Sequence, residues 1–187
     1  MSNFTCKNYA QKLATQLAST DWQDVENLAE KLQKIIINGK SLYICGNGGS
    51  AGNAQHLAND FLYGVSPKNA KALRVEALSA NASVLTCLGN DIGYDKIFSR
   101  QLEVKANEGD VLLVLTGSGN SANIIQAIDV ANKLGMYTAG ILGYSGGKAK
   151  EILDLSLHFD INDMQISEDL QLVVGHMLMR LLCDEDV

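Results

Sequence analysis

The chain has 187 residues, 47% of them hydrophobic and 19% charged, with 15 Lys+Arg against 21 Asp+Glu. That length suggests one domain of ordinary size, and area scaling gives roughly 9,000 Å² folded against roughly 29,000 Å² unfolded, enough burial to need no disulfide staples. The composition excludes a disordered, collagenous or disulfide-scaffold chain, and a net charge of -6 with no basic run argues against holding nucleic acid by its phosphates.

Residues 1–12 are mostly polar and do not read as a signal peptide. The longest apolar runs, such as 111–115, are far too short to span a bilayer. Cys6, Cys45, Cys87 and Cys183 are scattered without a CxxC, the pattern of free thiols in a reducing cytoplasm. Proline occurs once, at Pro67, and no linker or repeat array interrupts the chain. A single domain over 1–187 is expected, with helices over 1–38 and an α/β core over 41–187.

Residues 5–19 and 21–38 carry apolar positions at helical spacing: Tyr9, Leu13 and Leu17, then Val25, Leu28, Leu32, Ile35 and Ile36. Thr20 or Asp21 is placed to cap the second helix. This N-terminal helical hairpin serves either to pack against another subunit or to cover one sheet face. Strands follow at 41–45, 73–78, 111–115, 137–142 and 155–159. Helices are expected at 51–62, 82–88, 94–104, 122–134 and 147–152, with a long closing helix at 167–183. Short apolar strands alternating with helices predict a three-layer α/β/α sandwich with about five parallel strands. Ligands of such sheets sit beyond the carboxyl ends of the strands.

Two glycine-serine loops stand at such ends. Each opens a helix, whose N-terminus offers unpaired N–H groups and a positive dipole end. Glycines let the backbone approach an anion, and hydroxyls add donors. Gly46-Asn47-Gly48-Gly49-Ser50-Ala51 fits the dinucleotide pattern G-x-G-x-x-A, and so does Gly117-Ser118-Gly119-Asn120-Ser121-Ala122. The second loop is rich in hydroxyls (Thr116, Ser118, Ser121), which suits a terminal phosphomonoester better than a dinucleotide; plain helix capping is the remaining reading. No P-loop lysine follows either loop.

His56 and Asp60 lie four apart on one helix face, as an ion pair or as two ligands of a metal. Glu168 and His176 lie eight apart on the last helix, about 12 Å of rise and about 80° around the axis. One helix could hardly direct both to one tetrahedral ion, whose donors sit about 2 Å away. If both serve one site, two chains meet there.

Taken together these residues resemble the sugar isomerase (SIS) domain family, and within it the phosphoheptose isomerases. The matching segments are Cys45-Gly46-Asn47-Gly48-Gly49-Ser50 with His56, Leu88-Gly89-Asn90-Asp91 with Phe98-Ser99-Arg100, Ser118-Gly119-Asn120-Ser121-Ala122-Asn123, Gly146-Gly147-Lys148, and the Glu168 to His176 spacing. The resemblance implies isomerisation of sedoheptulose 7-phosphate to a glycero-manno-heptose 7-phosphate for surface polysaccharide, by a zinc-containing cytoplasmic homotetramer. It implies that Asn47, Gly48, Gly49 and Ser50 line the substrate, with Asn90 and Asp91 nearby. Thr116, Gly117, Ser118 and Ser121 would hold the phosphate. His56, Asp60, Glu168 and His176 match the metal positions, and Asp60, Glu168 and His176 would carry the chemistry, one carboxylate as base.

The chain departs from the family pattern in four places. The family usually has Glu at the place of Asp60, Gln at Glu168, Thr at Gly117, and an Arg-containing segment where Tyr63-Gly64-Val65 stands. Residues 50–56 also resemble a relative that binds the bacterial replication initiator. That relative lacks the acidic and imidazole groups at the places of Asp60 and His176. A phosphosugar-binding module without chemistry and a dinucleotide enzyme are the alternative readings.

Overall fold

The computed structural model describes residues 5–66 and 72–183; Pro67 lies outside them. Its elements in chain order are α1 (Cys6–Ser19), α2 (Gln23–Ile37), β1 (Ser41–Gly46), α3 (Gly49–Asn59), β2 (Arg74–Ala77), α4 (Ala82–Asp91), α5 (Ser99–Lys105), β3 (Val111–Thr116), α6 (Ala122–Lys133), β4 (Tyr137–Leu142), α7 (Ala149–Ile152), β5 (Leu155–His158) and α8 (Met164–Leu182). The strands form one parallel sheet in the order β2-β1-β3-β4-β5.

The apolar strands are continuous because both sheet faces are covered. All six residues of β3 are buried. Leu42, Ile44, Val111, Leu113, Ala139 and Ile141 join a core with α2, α3 and α8. Their neighbours Tyr43, Cys45, Leu112 and Val114 join a second core with α5, α6 and α7. This is the expected α/β/α sandwich. The first helix of the hairpin buries no residue outright; Tyr9, Leu13 and Leu17 lean on the first core. Among the described residues no helix is long and apolar enough to cross a membrane.

Strand order reverses between β1 and β3. The chain leaves β1 for β2 on one side, and β3, β4 and β5 follow on the other. Register pairs Gly46 with Leu115, so the two glycine loops leave adjacent strand ends. In doubly wound sheets the crevice at this reversal is where ligands bind.

Three regions depart from their sequence expectation in more than their end residues. The helix expected at 51–62 starts at Gly49 and passes into a π-helical turn at Asp60–Gly64. The stretch 94–104 splits into a 3-10 turn at Tyr94–Lys96 and α5. Gln101 Nε2 donates to the carbonyls of Ile97 and Leu78 there, fixing the junction to the end of β2. Trp22, not Thr20 or Asp21, is the N-cap of α2; the Asp21 carboxylate accepts the Gln23 N–H at 3.1 Å, and Thr20 donates back to the Gln16 carbonyl.

The closing helix starts at Met164 because Asp163 caps it, accepting from the Ile166 N–H. Lys12 of α1 pairs with the same carboxylate at 2.9 Å and holds its pKa below the ordinary range. Asp163→Ala should therefore cost about 1 kcal/mol of stability in a denaturant titration at neutral pH. A carboxylate whose folded pKa is depressed stabilises above its unfolded pKa, so the charge-dependent difference between parent and variant should begin to shrink near pH ~4 and be lost as pH falls through the lower folded pKa.

Candidate active site

The two loops enclose a cavity of about 270 Å³ at the strand reversal. Asn47, Gly48, Gly49 and Ser50 line one side, Thr116, Gly117, Ser118 and Ser121 the other, and Met164 and Glu168 of α8 close it. Gly48 is the N-cap of α3 with φ +56, a conformation that favours glycine. Ser121 is the N-cap of α6 yet makes no side-chain capping bond. Its hydroxyl is left for another acceptor, beside the N–H groups of the first helical turn. Thr116 Oγ1 accepts the Gly119 N–H at 3.2 Å and Ser118 Oγ the Asn120 N–H at 3.3 Å, so the loop is preformed.

Amide pairs brace the cavity. Asn47 and Asn123 exchange side-chain hydrogen bonds at 2.9 and 2.8 Å, joining the two loops, and Tyr94 donates to Asn47 Oδ1 at 3.1 Å. Asn53 donates to the Glu168 carbonyl and to Gln171 Oε1 at 3.0 Å each, and Gln171 donates to Ser50 Oγ at 3.0 Å. Ser50 is thus a brace between α3 and α8 as well as a wall. The Gly146–Lys148 segment supports the second loop from behind: Asn120 accepts the Lys148 N–H, and Gly119 accepts the Ala149 N–H.

Glu168 lies directly against Gly49. A Cβ at residue 49 would collide with both carboxylate oxygens. The absence of a side chain there lets a carboxylate reach the mouth of the first loop from α8.

Two turns further along α8 stands a second group. His56 Nε2 and His176 Nε2 face one another at 2.9 Å, and Asp60 Oδ2 lies 3.2 Å from the first and 3.5 Å from the second. These three residues offer ligand atoms all within 4.8 Å of one another, and both imidazoles are half exposed. Two imidazole nitrogens and a carboxylate oxygen are a zinc-type donor set. A divalent cation would satisfy two facing nitrogen lone pairs that share at most one proton between them, so the residues fit the metal. Glu168 is outside this trio within one chain, held at the first loop.

The SIS domain family model matches residues 7–143. The phosphoheptose isomerase of Aliarcobacter butzleri is 39% identical over 160 residues, covering 83% of this chain and 84% of that protein. A probable phosphoheptose isomerase of Thermoplasma acidophilum is 35% identical over 176 residues, covering 94% and 96%. The chain belongs to the SIS-domain phosphoheptose isomerase family. Among solved structures, the phosphoheptose isomerase of Neisseria gonorrhoeae superposes on this SIS domain with a TM-score of 0.86 at 28% identity, covering 94% of this chain and 95% of that one. That of Francisella tularensis gives 0.87 at 26%, covering 96% and 98%.

In this SIS domain Asn90 and Asp91 do not reach the cavity. They lie exposed at the end of α4, where Asn90 donates to Asp91 Oδ1 and Cys87 points its thiol at Asp91 Oδ2. That carboxylate pushes the Cys87 pKa up. Burial pushes the Cys45 thiol up as well, which disfavours the thiolate at both cysteines. Residue-by-residue reasoning did not single out Asn123, Tyr94 or Met164. Asn123 follows the second loop and had a signal, its place in a matching segment. Tyr94 and Met164 had none, since each reaches the site by tertiary packing.

Proposed function

We propose that this protein interconverts a terminally phosphorylated ketose and aldose, with sedoheptulose 7-phosphate and glycero-manno-heptose 7-phosphate as the pair. The observation that carries the reading is a hydroxyl-rich anion loop, bordered by Glu168, and an acid–imidazole group that includes His176, about two turns further along α8. The reacting carbons C1 and C2 lie at the end of the sugar remote from the phosphate. An extended seven-carbon phosphate reaches on the order of 10 Å from phosphorus to C1, with C–C bonds near 1.5 Å. The rise along α8 from Glu168 to His176 is about 12 Å.

The phosphate sits among Ser118, Ser121 and the first turn of α6, which supplies remote binding energy for orienting the open chain. Glu168 accepts from the sugar hydroxyls beside the first loop. Asp60 serves as base. Its Oδ2 faces the imidazoles, and Oδ1, which accepts from Asn59 at 3.3 Å, takes the proton from C1. The protonated Asp60 carboxyl exchanges with solvent and then delivers a proton to C2 of the resulting enediol, while His176 moves a proton from O1 to O2. When zinc is bound by His56, Asp60 and His176, it supplies Lewis-acid polarisation of the carbonyl.

A cytoplasmic homo-oligomer making heptose for surface polysaccharide fits this reading. An apolar groove of about 570 Å³ between α2 and α8, containing Trp22, Val25, Val173, Met177 and Leu181, supports self-association. Incubation of the purified protein with sedoheptulose 7-phosphate should yield an aldose 7-phosphate; a protein that binds the ketose and never converts it would instead be a binding module. Purified His56→Ala should retain less than about a tenth of the parent's zinc by elemental analysis, because the loss of one ligand from a three-residue set removes most of its affinity.

A further inference from the structure

The second loop has glycine at residue 117, where the resemblance leads one to expect threonine, and the structure shows what fills the vacated space. A Cβ built on Gly117 would lie 2.8 Å from Met164 Sδ, 3.1 Å from Met164 Cε and 3.5 Å from the Tyr144 ring. Met164 is the first residue of α8 and lines the same cavity as Ser118 and Glu168. It stands one turn before Glu168, so the two share a helix face over the cavity.

Tyr144 is held in place at a cost. Among the described residues it alone has a positive φ without being glycine, at +46°. Its N–H donates to the Ile161 carbonyl at 3.1 Å, and its carbonyl accepts from His158 Nε2 at 2.8 Å. Lys150 Nζ lies 3.0 Å from His158 Nδ1, and an ammonium there can only donate, which leaves Nε2 as the protonated nitrogen facing Tyr144. Strain of this kind persists where surrounding contacts over-determine it. Those bonds fix the backbone from which the ring reaches the space beside Gly117.

We infer that Met164 is a specificity-determining residue that works as a pair with Gly117. Its thioether occupies the side-chain space of residue 117 and forms an apolar, adaptable wall beside the anion loop. Such a wall suits the methylene of a primary phosphomonoester. A phosphate on a secondary carbon would bring a branched, hydroxylated carbon against the sulfur, with no partner for its polar groups. The inference deepens the reading of this cavity as a sugar-phosphate site and rests on it.

The test is a double-mutant cycle on Gly117→Thr, Met164→Ala and the pair together. It is read by the KM for sedoheptulose 7-phosphate and by the dissociation constant of inorganic phosphate. Gly117→Thr alone should weaken both about tenfold, because Met164 must be displaced. Met164→Ala alone should raise KM about fivefold with kcat changed less than about twofold, as expected when uniform binding is lost. The double variant should return to within about threefold of the parent in both readouts, since threonine then fills the vacated space. Independent effects that multiply in the double variant, or a Gly117→Thr that binds phosphate like the parent, would overturn the pairing. A parent that binds phosphate but converts no sugar would defeat the isomerase reading alone, and the phosphate cycle would still decide the pairing.

Discussion

Asp60→Asn, compared with the parent at equal zinc occupancy, should lower kcat about 10³-fold with KM within about threefold of the parent, the signature of a lost general base. The asparagine keeps the size and hydrogen-bonding reach of Asp60 but cannot take a carbon-bound proton. Glu168→Gln should show the opposite split, raising KM about tenfold while kcat falls much less, because an amide still hydrogen-bonds hydroxyls but loses the charge. The contrast follows from position. Glu168 borders the anion loops against Gly49, whereas Asp60 stands between His56 and His176. Steady-state kinetics on both variants decide it. A kcat collapse confined to Glu168→Gln would move the base to the loop end and remove the role given to Asp60.

Gly175→Val should be strongly destabilising. Gly175 lies where α8 crosses α3, and a Cβ there would run into the Leu57 side chain. Leu57 and its neighbours Leu170, Val174 and Leu178 are fully buried, so nothing nearby can yield without opening the core. Overpacking of this kind costs about 3 kcal/mol. For a domain of this size that lowers Tm by roughly 10 °C. The same contact sets the spacing between His56 on α3 and His176 on α8, so zinc retention should fall with stability. Gly175→Ala should show both effects more weakly. Thermal melts of the two variants measure the effect, and a Gly175→Val as stable as the parent would mean that the helices separate at no cost.

The sheet was legible in the sequence because its strands are buried on both faces. Five apolar runs bounded by turn residues left little choice of place, and the parallel order followed from the helices between them. The anion loops were legible for the same reason, since each sits where such a run stops. The π-helical turn at Asp60–Gly64 was not legible. Its apolar spacing continues that of α3, and the wider turn changes hydrogen-bond partners, which side-chain pattern does not report. The start of α8 lies three residues before its expected place because the apolar residues Phe159, Ile161, Met164 and Ile166 do not mark the helical period at its cap, Asp163. The pairing of His56 with Asp60 could be read from i,i+4 spacing. The arrival of His176 beside them depends on how closely α8 approaches α3, and that is set by a glycine whose role only packing reveals. Asn90 and Asp91 show the converse: a matching motif indicates membership, and here the single chain turns those side chains away from the cavity.

The central claim is proton transfer between adjacent sugar carbons at the Asp60–His176 group. Proton NMR of sedoheptulose 7-phosphate with zinc-loaded protein in D2O tests it most directly. The account predicts an aldose phosphate carrying deuterium at C2, abolished by chelation and nearly abolished in Asp60→Asn. An aldose with no solvent deuterium at C2 in any molecule, or no aldose from fully zinc-loaded protein, would contradict it.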